Sequence, residues 1–343
     1  MSETIIKVKP KELKWFIKHN YYLGRRGKSI FVIGGIGVGK STIVKETAKE
    51  IAKELGKEFI EWNKLSHEEK LKLYKMDDIS RYFIFKDERL SQIDVGDIRG
   101  IPFRLNSVVD WAYPLWLKVL SKPTAYGILF LDEINSSNEL VQFASYQLVL
   151  DKALGDITLS ENVMVIGAGN KVEEVREIFE MTNALKDRFV WVELAYDYLD
   201  WLEWASKNNI HPMIVTYIAK TKGVNLYIVD DRFHKPITPR SYHFASDLLQ
   251  KCKTEREMRI VLASCLNTII ADEILTIWKL KEKFDVNQIV EGKVDINQFD
   301  LDEKYLALVL IVEEFKRTKD LKFILKATRN VLLKVEPEDS YST

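Results

Sequence analysis

The sequence predicts an α/β fold, a parallel sheet with a five-stranded core and crossover helices, followed by an all-helical region. Three observations carry this. Short, β-branched apolar runs alternate with helical patterns as far as about Asp197, a glycine-rich turn joins the first such run to a helix, and beyond Asp197 strand patterns give way to helical ones.

The strand runs are Ser29–Gly34, Tyr82–Phe85, Gly127–Leu131, Val163–Gly167 and Phe189–Leu194. The first crossover helix begins at Ser41 and runs to about Leu55, where Gly56 ends it, with Ile43, Val44, Thr47, Ile51 and Leu55 on its inner face. A second spans about Glu139 to Leu150. The stretch 61–78 is charged and helical in pattern, and reads as a solvated face. Four helical segments follow, Tyr198–Asn208, His211–Lys222, Arg240–Lys251 and Thr254–Lys279, broken at His211-Pro212 and by 229–239. After 284–300, rich in Asn, Asp and Val, comes an amphipathic tail, 303–317 and 321–335, suited to pack on the helical region or to meet a partner. The expected division is therefore 1–198 as the α/β domain, 199–280 as a helical subdomain and 281–343 as a helical extension.

With 343 residues, 46% of them apolar, the chain can bury a substantial core. Lys plus Arg and Asp plus Glu both number 51, so the formal net charge is zero and no global field draws the molecule to nucleic acid or anionic lipid. Cys252 and Cys265 have neither CxxC spacing nor nearby histidines, which favours structural thiols. The stretch MSETIIKVKPKELKW contains no apolar leader core, and the longest apolar run, Tyr305–Val312, is far short of a membrane span. A cytoplasmic protein with no membrane span is expected.

Three strand ends carry the chemistry. Gly34, Gly35, Ile36, Gly37, Val38, Gly39, Lys40 and Ser41 satisfy G-x-x-x-x-G-K-[ST] between a strand and a helix, with Thr42 following. Glycines let backbone N–H groups curl around a β-phosphate at a helix N-terminus. Lys40 neutralises the β- and γ-phosphates, and the Ser41 hydroxyl ligates Mg2+. The run Gly127–Leu131 ends in adjacent carboxylates: Asp132 can hold Mg2+ through water, and Glu133 can orient or deprotonate the attacking water. The strand Val163–Ile166 delivers Gly167-Ala168-Gly169-Asn170, and the Asn170 amide can bond both the water and a phosphate oxygen. The implied cofactors are ATP and Mg2+.

With these strand ends in order, and Ala184-Leu185-Lys186-Asp187-Arg188-Phe189 after them, the chain resembles AAA+ ATPases of the MoxR type, in the dynein-related group. The resemblance also rests on Leu131-Asp132-Glu133-Ile134-Asn135, Arg89-Leu90-Ser91-Gln92-Ile93-Asp94, Asp97-Ile98-Arg99-Gly100-Ile101-Pro102, Tyr146–Asp151 and Thr238-Pro239-Arg240-Ser241, and covers about residues 25 to 255. It implies a P-loop αβα sandwich with a helical lid, and a homo-oligomeric, hexameric ring with ATP at each subunit interface. It further implies that Arg188 reaches into the neighbouring site as a finger, and that Arg240 acts as a second sensor of the γ-phosphate. The loop departs from many relatives in carrying Gly-Gly where they have proline, which leaves the phosphate-binding amides in place. By family position, 94–104 faces the pore or an axial surface, where Arg99, Phe103 and Arg104 could grip a peptide or a nucleic-acid backbone.

The leading functional expectation is a chaperone or remodeller of protein complexes working with a von Willebrand factor A domain adaptor. The DxSxS metal-site pattern of such an adaptor is absent, so the adaptor is expected to be a separate chain. A nucleic-acid motor or clamp is the alternative, and an ATP-driven latch a third reading, which a complete hydrolytic set disfavours.

Overall fold

The computed structural model describes residues 5–171, 174, 181–230, 234–279 and 285–333. The chain forms two compact units, Met1–Tyr196 and Asp197–Thr343.

In the first unit the strands are β1 (Lys7–Val8), β2 (Ile30–Gly34), β3 (Glu58–Glu61), β4 (Tyr82–Arg89), β5 (Ile101–Leu105), β6 (Val108–Ala112), β7 (Tyr126–Asp132), β8 (Ala153–Leu154), β9 (Ile157–Thr158), β10 (Val163–Asn170) and β11 (Val190–Leu194). The helices are α1 (Pro10–Tyr22), α2 (Lys40–Glu54), α3 (His67–Lys75), α4 (Val95–Arg99), α5 (Leu115–Leu120), α6 (Glu139–Asp151) and α7 (Asn183–Lys186). Seven strands make one sheet in the order β1-β11-β2-β10-β7-β4-β3, and every neighbouring pair is parallel. The five expected strands form its contiguous centre. The edges are additional: β1 is only two residues long and β3 reads Glu-Phe-Ile-Glu, so neither offers an apolar run. A second difference is the length of β4, which continues past Phe85 through four polar residues because its pairing with β7 persists to Arg89 opposite Asp132. The segment 94–104, read from the sequence only as a pore or axial surface, holds α4 and most of β5, and β5 pairs with β6 in an exposed antiparallel hairpin.

The sheet is covered on both faces. Side chains alternate along each strand, so Ile30, Val32, Phe83, Phe85, Ile128, Phe130, Ile166 and Ala168 form one cluster with Leu13 and Ile17 of α1 and Ile43, Val44 and Ile51 of α2. Phe31, Ile84, Leu129, Leu131 and Val165 face the other way, against Leu117 of α5 and Val141 and Leu148 of α6. This is the αβα sandwich, with helices returning each strand to a parallel neighbour. Burial of these side chains stabilises by about 1.5–3 kcal/mol each.

The second unit consists of α8 (Tyr198–Lys207), α9 (Pro212–Lys220), α10 (Pro239–Leu249), α11 (Glu255–Cys265), α12 (Thr268–Lys279), α13 (Val286–Val290), α14 (Leu301–Thr318) and α15 (Leu321–Ala327). Its core gathers Trp201, Ile214, Tyr217, Tyr242 and Ile274. The expected single helix 254–279 is two: Leu266 leaves helical geometry at φ −115° and ψ −105°, and the Asn267 side chain accepts the Ile270 N–H at 2.8 Å, starting a new helix. The amphipathic tail packs α14 against α9, and its Ile311 and Val331 form a small cluster with Ile289 and Ile296 of the stretch before it. Its last residues, 334–335, lie outside the described residues. Among the described residues no helix is long and apolar enough to cross a membrane.

An ionic ladder ties α1 to α2, the helix that starts at the glycine-rich loop. Lys14 Nζ lies 2.8 Å from Glu46 and 3.0 Å from Glu50, and Lys18 Nζ lies 2.7 Å from Glu50 and 2.8 Å from Glu54. Burial pushes the Glu50 carboxyl up, but its two lysines outweigh that and hold it below its ordinary 4.5. Its contribution is therefore complete above that pH and disappears as pH falls through the lowered folded value. With solvent screening, Glu50→Gln should cost about 0.5–1 kcal/mol at neutral pH in urea denaturation, and the difference from wild type should vanish in acid. An unchanged difference at low pH would show that the ladder's charges do not hold α1.

Candidate active site

The C-terminal ends of β2, β7 and β10 converge, because in a parallel sheet all strands end on one edge. The glycine-rich loop follows β2, and Gly37 at φ +69° and Gly39 at φ +97° take left-handed conformations that a side chain would strain. Gly39 is the N-cap of α2, so the first-turn N–H groups of Lys40, Ser41 and Thr42 begin the helix at the loop.

Lys40 is only 7% exposed, and its ammonium donates to the Gly34 and Gly35 carbonyls, both at 2.9 Å, and to Asn170 Oδ1 at 2.8 Å. The Ser41 hydroxyl donates to Asp132 Oδ2 at 2.7 Å, while Asp132 Oδ1 accepts the Glu133 N–H at 2.9 Å. Glu133 itself stands at φ 58° and ψ 35°, a left-handed conformation costing roughly 1–2 kcal/mol for a residue with a side chain. Its carboxylate is engaged by the Ser91 hydroxyl, from the turn that follows β4. Asn170 is gripped by Asn135, whose amide donates to the Asn170 carbonyl at 2.7 Å and accepts its N–H at 3.1 Å. Thus Lys40, Ser41, Asp132 and Asn170 meet in one cluster with Glu133 beside it.

The two arginines have other surroundings, each within its own unit. The Arg188 guanidinium lies 5.1 Å over the Tyr146 ring of α6 and donates to the Ala184 carbonyl, and its Nε is buried without a hydrogen-bond partner. Arg240 occupies the first turn of α10 in the second unit, exposed, behind a capping box of Thr238 and Ser241.

Four residues at this edge have roles that the sequence does not assign: Ser91, Asn135, Glu174 and Asp87. Glu174 Oε2 accepts the Ile36 N–H at 3.0 Å, so a carboxylate oxygen sits where a loop amide can receive a phosphate oxygen. Asp87 Oδ1 is buried with no hydrogen-bond partner. Burial, and next the charge of Asp132, push the Asp87 carboxyl up to about 6, against the opposing pull of Arg89 and Lys86. Asn135 and Ser91 carry a sequence signal, each lying in a stretch that bears the family resemblance, Leu131–Asn135 and Arg89–Asp94, whereas Glu174 and Asp87 carry none.

These features fit a nucleoside phosphate and a divalent cation. An anionic oxygen already rests on the loop, a buried ammonium lies against loop carbonyls, and a hydroxyl and carboxylate meet at the base of α2 with a second carboxylate oxygen unpaired nearby. Among the described residues no group of three or more His, Cys, Asp or Glu side chains forms a metal cage. Mg2+ keeps water and substrate oxygens among its ligands, so it needs few protein groups, such as the Ser41 hydroxyl and the Asp132 carboxylate.

A strand, glycine loop and helix placed this way on a fully parallel αβα sheet define a P-loop nucleotide-binding domain. Residues 30–192 match the family model described as ATPase family associated with various cellular activities (AAA), and this segment is an AAA+ ATPase domain. Among solved structures, the Thermotoga maritima RuvB Holliday junction branch migration motor is similar over 92% of this chain and 86% of that one, at 18% identity and a TM-score of 0.32. The Aeropyrum pernix ORC2 protein, in its ADPNP-ADP complexes, is similar over 94% and 84%, at 13% identity and a TM-score of 0.40. C. elegans PCH-2 is similar over 78% and 69%, at 13% identity and a TM-score of 0.39. Likeness this loose bears on neither substrate nor partner. No curated protein matches the sequence.

A Cβ placed on Gly169 would lie 2.5 Å from Asn135 Oδ1 and 2.7 Å from Phe31 Cζ. Gly169→Ala should therefore loosen the clamp on Asn170 and destabilise the first unit by about 1–3 kcal/mol, read by chemical denaturation. Wild-type stability in this variant would mean that the clamp yields without cost.

Proposed function

We propose that the chain is a Mg2+-dependent, ring-forming ATPase of MoxR type that remodels protein complexes together with a separate von Willebrand factor A domain adaptor. The observation that carries the hydrolytic part is the convergence of Lys40, Ser41, Asp132 and Asn170 at the mouth of the loop. The remodelling and adaptor part rests on the spread of MoxR-like motifs along the sequence.

In this reading the loop amides bind the phosphate chain, and the Lys40 ammonium exchanges the Gly34 and Gly35 carbonyls for β- and γ-phosphate oxygens. Ser41 and Asp132 hold Mg2+, which when bound neutralises phosphate charge. Glu133 leaves the Ser91 hydroxyl and accepts a proton from water as that water's oxygen attacks the γ-phosphorus. The bond to the β,γ-bridging oxygen breaks in line, and ADP carries away the electron pair. Asn170 positions the water, held rigidly because both its backbone groups are fixed by Asn135. Arg188 leaves Tyr146 to reach the site of an adjacent subunit in a hexameric ring, and Arg240 senses the γ-phosphate.

Lys40→Ala should abolish ATP binding measured by titration calorimetry, and unchanged affinity would overturn the phosphate-loop assignment. Glu133→Gln should still bind ATP but hydrolyse it at least about a hundredfold more slowly. Wild-type turnover in that variant would remove Glu133 from the chemistry.

Arg188→Ala should lose hydrolysis, with part of it returning on mixing with Lys40→Ala subunits that supply an intact arginine. Absence of rescue in every mixture contradicts a finger acting between subunits. Hydrolysis stimulated by DNA, falling steeply with salt, would favour a nucleic-acid motor over the protein remodeller.

A further inference from the structure

Three polar side chains continue three apolar rows on the α2 face of the sheet. Along β7, Ile128 and Phe130 are followed by Asp132, and along β10, Met164, Ile166 and Ala168 are followed by Asn170. Along β4, Phe83 and Phe85 are followed by Asp87. Asp87 pairs in register with Phe130 and Arg89 with Asp132, so the Asp87 and Asp132 carboxylates project from the same face on adjacent strands. That is the face on which Ser41 meets Asp132.

The placement is held from the backbone. Asn63 donates to the Asp87 carbonyl at 2.7 Å and accepts its N–H at 3.3 Å, and Lys86 Nζ donates to the same carbonyl at 3.0 Å. Lys86 pairs with Glu88 at 2.8 Å, which leaves its charge committed to the other face. The Asp87 carboxylate is left with a buried, unpartnered oxygen beside a second carboxylate. An arrangement of this kind is costly in the free protein and is relieved by a cation with bound water.

We infer that Asp87 is a positioning residue for the divalent cation, accepting a hydrogen bond from a metal-bound water beside Asp132. This rests on the nucleotide reading above. Mg2+ keeps several of its waters in protein sites, and carboxylates that bind those waters set its orientation and affinity. Asp87 thereby joins the site from β4, a strand that contributes none of the three motifs.

The test uses the full chain with Mn2+ as the cation, detected by electron paramagnetic resonance in saturating ADP, and ADP affinity measured separately in EDTA. Asp87→Asn should weaken Mn2+ binding about tenfold or more while leaving metal-free ADP affinity unchanged. Its metal-free melting temperature should be equal to or above wild type, because a buried repulsion is removed, which a purely structural role for the carboxylate does not predict. Asp87→Ser, smaller and neutral, should show the same loss of Mn2+ affinity and guards against a packing defect particular to the amide. Mn2+ affinity within twofold of wild type in both variants overturns the assignment while leaving the phosphate loop intact. A wild type that binds no ADP in EDTA overturns the nucleotide reading, and this assignment with it.

Discussion

The site depends on the parity of a parallel sheet. In β7 and β10 the side chains that fill the space under α2 occupy every second position, and the next position in each row, at the strand's C-terminal end, is the polar one. A slip of one residue in either strand would turn Asp132 or Asn170 to the opposite face and bury a core side chain's place with a charge or amide. The apolar rows therefore fix register, and register places the chemistry. Lys40 and Ser41 meet these groups because β2, from which their loop departs, lies beside β10 in the same sheet and α2 packs on the same face.

The edge where these rows end runs against local stability. Glu133 adopts a left-handed backbone, Asp87 has a buried oxygen without a partner, and the Lys40 ammonium is confined among carbonyls. The rest of the first unit compensates with long, fully buried rows and with clamps such as Asn135 on Asn170 and Asn63 on Asp87. Concentrated strain at one end of an otherwise consistent fold is what a binding site for a highly charged ligand requires. The α1–α2 ladder adds to this by fixing the helix whose first turn faces that ligand.

Much of this is legible in the sequence where the signal is local. The spacing of Gly34 to Ser41, the apolar run before Asp132 and Glu133, and the strand before Asn170 each announce their element and its end. Asp87 is illegible because the apolar run stops at Phe85, whereas backbone pairing with β7 carries the strand on to Arg89. The roles of Ser91 and Glu174 are illegible for a related reason, since each acts through a contact with a residue far away in sequence. The division of 254–279 is hidden because Leu266 and Asn267 continue a helical pattern in composition, and only the Asn267 cap marks the restart. Arg188 and Arg240 have no local pattern at all, so they are readable only through resemblance.

The most direct measurement is a crystal structure of the full chain with Mg2+ and a non-hydrolysable ATP analogue. In that complex Lys40 Nζ should leave the Gly34 and Gly35 carbonyls for the β- and γ-phosphate oxygens, and the Ser41 hydroxyl should leave Asp132 to ligate the metal. A triphosphate bound elsewhere, or bound here with Lys40 and Ser41 keeping their present partners, would contradict it.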